Sequence, residues 1–202
     1  EYERLKWYEK AAEQGHVESL YKVGYLNEIK RQFDSYKLAF AYYLKAIEQG
    51  NIEAQYKLGE FYEKGLGIKQ NYTKARELYE KSAEQGHVES LYKLGYLYEK
   101  GLGVEQDLDR AMELYEKVAE QGHIEAQKKL INFLENNLGN ESYNSKSLFK
   151  LGYLYEKSLE VEQDYTKAKE YYEKAANQGN IEAQYKLGEF YEKGLGVEKN
   201  YT

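Results

Sequence analysis

The chain has 202 residues, of which 42% are hydrophobic, and its mean hydropathy of −0.90 suits a thin fold with much surface and a narrow core. A net charge of −6, from 35 acidic and 29 basic residues, argues against nucleic acid as the main partner. There is no apolar run of roughly 18 residues, which predicts no membrane insertion, and the absence of cysteine excludes disulfides and thiolate metal sites and permits a cytoplasmic location.

A unit of about 36 residues recurs along the chain. Gly50, Gly86 and Gly122 are each 36 residues apart, and Gly15 lies 35 residues before Gly50. A fixed period of this size is typical of a solenoid, in which each unit contacts mainly its neighbours. We therefore predict one repeat array over residues 1–202. It is divided into a partial repeat 1–15, repeats 16–50, 51–86 and 87–122, an incomplete repeat and loop 123–144, a repeat 145–179 and a partial repeat 180–202.

Each unit predicts two helices. In the unit 87–122, Ser90, Leu94 and Leu97 recur at helical spacing, and a second apolar stripe begins at Leu108. Between them lies the segment Gly101-Leu102-Gly103, whose glycines can end a helix in the left-handed conformation. Asp107, like Asn71, Asp164 and Asn200 in other units, is placed to cap the second helix. Neither helix can bury its stripe alone, so neighbouring units must stack.

The repeated string resembles a known family. LGxxYExGxGVxxDxxxAxxxYExAAxxG, found from Leu94 to Gly122 with Val118 at the first paired alanine, is similar to the Sel1-like repeat, a relative of the tetratricopeptide repeat. The resemblance implies an all-α, right-handed superhelical solenoid of about 11 helices in stacked antiparallel pairs. It also implies a scaffold or adaptor for protein interactions, as in family members that assemble signalling or membrane-associated complexes, without a cofactor.

Two units depart from the pattern. The first lacks the glycine turn, and its second helix is predicted to start near Ser35. The segment 123–144 supplies a first helix without a second one. A glycine occurs in the middle of five first helices at a cost of about 1 kcal/mol each, which predicts close approach of the partner helix, whereas this orphan helix carries Ile131. We expect the stacking to bend around residues 137–147, and Asp164–Gly179 to pair with the helix before it. The alternative is that residues 145–158 form the missing partner of the orphan helix, which would leave 164–179 unpaired. The mid-helix glycines are Gly24, Gly59, Gly95, Gly152 and Gly188.

Both ends of the chain fall inside repeats. The chain begins with the second helix of a repeat, which we call a second-type helix, and ends where another second-type helix begins. This predicts a fragment of a longer array, with apolar stripes exposed at both ends. End-to-end self-association of the isolated chain is therefore expected.

Candidate binding residues lie in columns on the first helices, which line the concave face in tetratricopeptide-like solenoids. An aromatic column edged by carboxylates predicts a protein or peptide partner with basic and apolar side chains. Tyrosines that only fill gaps between helices are the alternative for the aromatic column. A second column alternates between tyrosine and a polar residue. It is either a groove with alternating apolar and polar patches or the trace of a duplicated two-repeat block. The column consists of Tyr25, Glu60, Tyr96, Asn132, Tyr153 and Glu189. The candidates are Tyr21, Tyr56, Glu60, Glu63, Tyr92, Tyr96, Glu99, Tyr153, Glu156, Tyr185 and Glu189.

Nothing in the sequence predicts catalysis or a metal site. His16, His87 and His123 all follow a closing glycine, where other units carry Asn51 and Asn180, so they are interpreted as helix caps. Two other functions stay open. One is a secretory quality-control adaptor, a role that the resemblance implies through one branch of the family; Asn71, Asn140 and Asn200 fit the glycosylation sequon that a secretory protein can carry. The other is a spacer or regulatory array attached to an enzyme domain outside this sequence.

Overall fold

The computed structural model of the chain describes residues 2–136, 145–157 and 164–196. Within these ranges it contains eleven α-helices and no strand, which confirms the predicted all-α fold. The helices are α1 (Tyr2–Glu13), α2 (Val17–Glu28), α3 (Phe33–Glu48), α4 (Ile52–Lys64), α5 (Tyr72–Glu84), α6 (Val88–Lys100), α7 (Leu108–Ala119), α8 (Ile124–Asn136), α9 (Ser145–Lys157), α10 (Tyr165–Asn177) and α11 (Ile181–Lys193).

The chain forms two compact units, Glu1–Val118 and Ala119–Thr202. In the first unit the first-type helices α2, α4 and α6 alternate with the second-type helices α1, α3, α5 and α7. In the second unit α9 and α10 form such a pair, preceded by α8 and followed by α11.

Side-chain caps start most of these helices, as the sequence predicts. The Nδ1 atom of His87 accepts a hydrogen bond from the backbone amide of Ser90 at 3.2 Å, and Asn51 Oδ1 accepts one from Ala54 at 2.7 Å. These bonds satisfy amides that have no partner inside the helix. The same role is confirmed for His16, Asn71, Asp107, His123, Asp164 and Asn180, whereas Asn200 lies outside the described residues.

The glycine turn does two things. Gly65 ends α4 in the left-handed region at φ +70°, as predicted. Gly67, with φ +65°, lies against the start of α3, where a Cβ would be 2.8 Å from Cβ of Tyr36. This second glycine therefore allows close contact with the preceding repeat, a role that the sequence analysis did not assign.

The mid-helix glycines face a tyrosine of the partner helix. A Cβ at Gly59 would lie 2.5 Å from the ring of Tyr79, which is fully buried. Equivalent contacts join Gly24 to Tyr43, Gly95 to Tyr115 and Gly152 to Tyr172. The predicted close approach is thus confirmed at four positions, while none of the described residues lies within 4 Å of a Cβ at Gly188.

The first repeat is irregular at its turn, and one prediction there is wrong. Helix α3 begins at Phe33 rather than near Ser35, and Gln32, which precedes it, makes no side-chain cap bond. Arg31 occupies the left-handed region at φ 53°, in place of the glycine of other repeats. Because it starts a turn early, α3 has 16 residues.

In the second unit, α9 pairs with α10, as the Gly152–Tyr172 contact shows. The interpretation of α9 as the missing partner of α8 is therefore excluded. Ile131 is 7% exposed and belongs to the buried core. The expected bend falls on residues 137–147, most of which lie outside the described residues.

Candidate binding face

The aromatic column packs against the second helices. Tyr21, Tyr56 and Tyr92 are half-buried, and the ring of Tyr56 lies 5.8 Å from that of the buried Tyr79. Tyr56 also contacts the His87 ring of the next repeat at 4.7 Å. Each of these tyrosines therefore packs against a second helix and keeps part of its surface accessible. The corresponding ring pairs are Tyr21–Tyr43 at 5.9 Å, Tyr92–Tyr115 at 5.5 Å and Phe149–Tyr172 at 5.5 Å.

The carboxylates near the ends of the first helices accept hydrogen bonds from those buried tyrosines. We call this set, Glu28, Glu63, Glu99, Glu135 and Glu156, the acidic column. The hydroxyl of Tyr79 donates to Glu63 Oε2 at 2.5 Å, and only 12% of the Glu63 side chain is exposed. Each such bond ties the end of a first helix to the middle of its partner helix. The other pairs are Tyr43–Glu28 at 2.5 Å, Tyr115–Glu99 at 2.8 Å and Tyr172–Glu156 at 2.6 Å.

A lysine from the following repeat also contacts the carboxylate in three of these pairs. Lys93 Nζ donates to Glu63 Oε1 at 3.0 Å, so this carboxylate joins α4 to both α5 and α6. Lys57 contacts Glu28 and Lys186 contacts Glu156 in the same way, each at 3.2 Å. The sequence analysis missed these lysines, although their position two residues before the mid-helix glycine recurs in every unit.

The pKa shifts of the buried tyrosines are consistent with their role as hydrogen-bond donors to the glutamates. Burial raises the pKa of Tyr79, and the charge and hydrogen bond of Glu63 raise it further. The phenol therefore keeps its proton and remains a donor to the carboxylate at neutral pH. Within the described residues, Glu63, Glu99 and Glu156 are thus occupied by contacts between helices, which leaves them little capacity for a ligand.

In the second, alternating column the glutamates are likewise engaged by lysines, whereas the tyrosines are partly or largely exposed. Glu60 is 8% exposed and is bridged by Lys57 at 3.1 Å and by Lys64. Burial raises its pKa, but the hydrogen bonds and charges of the two lysines outweigh this and lower it. Glu189 pairs with Lys186 and Lys193, whereas Tyr153 is 39% exposed and Tyr185, on α11, is 70% exposed. Tyr96 is half-buried.

A different set of carboxylates lies beside the tyrosines and is exposed. The side chains of Glu18, Glu53 and Glu89, in the first turns of α2, α4 and α6, are 57%, 55% and 57% exposed. Glu53 and Glu89 flank His87, whose Nε2 atom lies 3.3 Å and 3.8 Å from their oxygens. The sequence analysis missed this edge, although its spacing of three residues before each tyrosine was readable.

These carboxylates are close enough to influence the rings. Burial raises the pKa of Tyr56, and the charges of Glu60, Glu89, Glu63 and Glu53 add to it. Burial likewise raises the pKa of Tyr21, with Glu53 as the next cause. We call the surface formed by Tyr21, Tyr56, Tyr92 and the exposed Glu18, Glu53 and Glu89 the tyrosine face.

Other kinds of site were sought in the described part of the chain. There, no group of three or more His, Asp or Glu side chains is placed to hold a metal ion, and no helix is long and apolar enough to cross a membrane. A cleft of about 410 Å³ between α1 and the end of α2 is lined by Tyr2, Leu5, Leu26, Ile29 and Lys30. That lining contains no acid–base pair or activated nucleophile of the kind that catalysis requires.

Helix pairs joined by glycine turns and tied to their neighbours define an α-helical repeat protein. The family model of the Sel1 repeat matches residues 5–16, 17–51, 52–87, 88–123, 145–180 and 181–202. The chain therefore belongs to the Sel1 repeat family. A search of curated proteins found no match.

Solved structures agree with this assignment. A protective antigen of uropathogenic Escherichia coli with an SLR fold is 32% identical, with a TM-score of 0.62, and the match covers 98% of this chain and 46% of that one. A Sel1 repeat protein from Oxalobacter formigenes is 31% identical, with a TM-score of 0.50 and coverage of 91% and 65%. A putative Sel1 repeat protein from Klebsiella pneumoniae, 17% identical with a TM-score of 0.51, shares the fold; it covers 93% of this chain and 99% of that one.

The chain spans about half to two thirds of the length of the first two relatives, 46% and 65%. Sel1 repeat proteins generally act as scaffolds for protein interactions, and their fold is typically non-catalytic.

Proposed function

We propose that this chain binds an extended or helical peptide segment of a partner protein along the tyrosine face. The observation that carries the proposal is the contrast between two acidic columns on the same helices. Glu63 is 12% exposed and engaged by Tyr79 and Lys93, whereas the side chains of Glu53 and Glu89 are 55% and 57% exposed beside half-buried tyrosines.

The chemistry of the face defines the partner. The accessible parts of these half-buried phenol rings offer flat apolar surface that loses little conformational entropy on binding. Exposed carboxylates at a spacing of one repeat offer acceptors for lysine or arginine, and arginine can also stack on a tyrosine ring. The partner segment therefore combines basic with aromatic or aliphatic residues. This keeps the partner predicted from the sequence and moves its acidic contacts from Glu63 and Glu99 to Glu53 and Glu89.

The test is selection of peptides from a random displayed library against the chain. Selected peptides should be rich in arginine or lysine together with aromatic or aliphatic residues, and their affinity should fall with salt, because exposed charges are screened. Glu53→Gln/Glu89→Gln should weaken the best peptide about tenfold or more, which corresponds to about 1.4 kcal/mol.

A matched control is Glu77→Gln/Glu113→Gln, which removes two exposed carboxylates from the second helices α5 and α7. It has the same charge change and should leave binding unaltered. The proposal fails if no peptide is selected, if the selected peptides lack basic residues, or if both double variants bind equally.

The tyrosines need a separate test, because Tyr56 and Tyr92 also pack on Tyr79 and Tyr115. Tyr56→Phe/Tyr92→Phe keeps the rings and should retain most binding, whereas Tyr56→Ala/Tyr92→Ala should lose it. Circular dichroism checks the fold of each variant. Loss of helicity in the alanine variant without loss of binding by the folded fraction would assign these rings to packing alone.

A further inference from the structure

The second-type helices share a pattern of charged surface positions that α3 lacks. Aligned at the tyrosine that packs on the first helix, α5 carries Lys74, Glu77 and Glu80 where α3 carries Leu38, Ala41 and Leu44. The other second-type helices are charged at all three positions as well. They carry Glu3, Lys6 and Glu9 in α1, Arg110, Glu113 and Glu116 in α7, and Lys167, Glu170 and Glu173 in α10.

The core does not explain these apolar residues. Leu38 and Leu44 are 43% and 41% exposed, whereas Ala39, Tyr43 and Ala46 on the opposite side of α3 are fully buried. Four other second-type helices show that charged side chains fit the same positions of the repeat. The exposed leucines of α3 therefore indicate a contact outside the repeat itself.

The outer side of α3 has the spacing of a helix–helix seam. Five residues recur at steps of four, three, four and three, which places them on one stripe that can face another helix. Leu38 and Ala41 lie at its centre, and the small alanine lets a second helix approach closely. The stripe consists of Asp34, Leu38, Ala41, Lys45 and Glu48.

The charges of this stripe complement a second copy of itself. In an antiparallel pair with Leu38 opposite the partner's Ala41, two-fold symmetry sets Asp34 of each chain opposite Lys45 of the other. Asp34 is available for this contact, because its side chain is 96% exposed and its distance to Lys37 is 3.9 Å. A parallel pair would instead set Asp34 against Asp34.

We propose that two copies of this chain associate through α3, as an antiparallel helix pair centred on Leu38 and Ala41. One helix pair buries less than the roughly 1,200 Å² of a standard interface, so the dimer is weak and reversible. The dimer uses the outer side of α3, whereas peptide binding uses the first helices, so the two proposals are independent.

The first experiment is analytical ultracentrifugation of the chain from micromolar to millimolar concentration. A monomer–dimer equilibrium is expected, and Leu38→Lys, which gives the centre of the stripe the residue that α5 carries there, should raise the dimer dissociation constant at least tenfold. Tyr185→Ala is the control for end-to-end association, because Tyr185 lies on α11 and is 70% exposed. A dimer that survives the α3 variant, or is lost with the Tyr185 variant, overturns the proposal, and so does a monomer at every concentration.

The second experiment tests the register by exchanging charges. Asp34→Lys alone places two lysines opposite each other at both ends and should weaken the dimer at least tenfold. Asp34→Lys/Lys45→Asp restores opposite charges in an antiparallel pair and should recover the dimer. It keeps both leucines and the net charge, so it remains informative if the leucine variant unfolds. Failure of the double variant to recover association, with helicity intact, contradicts this pairing.

Discussion

The regular repeats of α4–α7 and the irregular α8–α10 satisfy the same acidic position in different ways. In the regular repeat, Glu63 accepts one phenol, from Tyr79 of its own partner helix, and one lysine, Lys93. At the equivalent Glu135, where α8 is followed directly by another first-type helix, the carboxylate accepts two phenols. They come from Tyr155 of α9 at 2.7 Å and Tyr171 of α10 at 2.9 Å.

The two tyrosines at Glu135 also support each other. Their rings are stacked, with centroids 5.7 Å apart and an angle of 11° between their planes. Lys167 lies 4.8 Å from the centre of the Tyr155 ring, and Lys174 lies 5.2 Å from that of Tyr171. The comparison shows that the acidic position joins helices in both regions. Glu135 has no second-type helix directly after α8, and it accepts hydrogen bonds from tyrosines of α9 and α10 instead.

The largest expected effect is at the glycine that admits the tyrosine ring. Gly59→Ala places a Cβ 2.5 Å from Tyr79 and should lower the free energy of unfolding by about 3 kcal/mol, since an overpacked core strains its neighbours. Gly188→Ala is the matched control, because no described residue lies within 4 Å of its Cβ, and it should gain up to about 1 kcal/mol of helix propensity. Urea unfolding followed by circular dichroism measures both. Equal effects at the two positions would contradict the close-approach explanation.

A smaller effect on the free energy of unfolding is expected when a tyrosine donor is removed, and it should differ between Glu63, with one such donor, and Glu135, with two. Tyr79→Phe removes the phenol that donates to Glu63 and should cost about 2 kcal/mol, because a largely buried carboxylate loses a hydrogen bond. Tyr155→Phe leaves Tyr171 bound to Glu135 and should cost about 1 kcal/mol. Urea unfolding of the two variants gives the comparison, and Tyr155→Phe/Tyr171→Phe should cost more than either single change at Glu135. If Tyr155→Phe costs as much as Tyr79→Phe, the second phenol does not compensate.

The smallest effect is on the pH dependence of stability. Burial, with the hydrogen bond and charge of Glu135, raises the pKa of Tyr171 to about 12 from 10.0. Because the folded-state pKa is the higher one, this contribution is fully present below pH 10.0 and is lost as the pH rises through about 12. The free energy of unfolding should therefore fall over that interval, and less steeply in Tyr171→Phe. Parallel curves for the two proteins would show that Tyr171 does not contribute.

Much of the fold could be predicted from the sequence, because its signals are local. The helix caps at His87 and Asn71 act within one turn, and the left-handed glycine at Gly65 acts within the turn itself. The mid-helix glycines predicted a close approach of the partner helix, because a glycine inside a helix costs helix propensity. The start of α3 was the exception. Serine is a residue type that often caps helices, but α3 begins two residues before Ser35, after Gln32, whose side chain makes no cap bond.

The site was harder to predict, because its residues look alike in the sequence. Glu53 and Glu63 both belong to α4 and both recur in neighbouring repeats, so periodicity alone could not separate them. The separation depends on Tyr79 and Lys93, which lie 16 and 30 residues after Glu63 and reach it only when the helices pack.

The sequence by itself determined the period, the helix pairs, their caps and the positions where helices approach closely, because these depend on short-range backbone chemistry and on apolar spacing. Only the tertiary structure decided which carboxylates are engaged between helices, which are exposed beside the tyrosines, and that Leu38 and Leu44 of α3 remain at the surface. Burial and hydrogen bonding between repeats are properties of the packed helices, and no single repeat contains them.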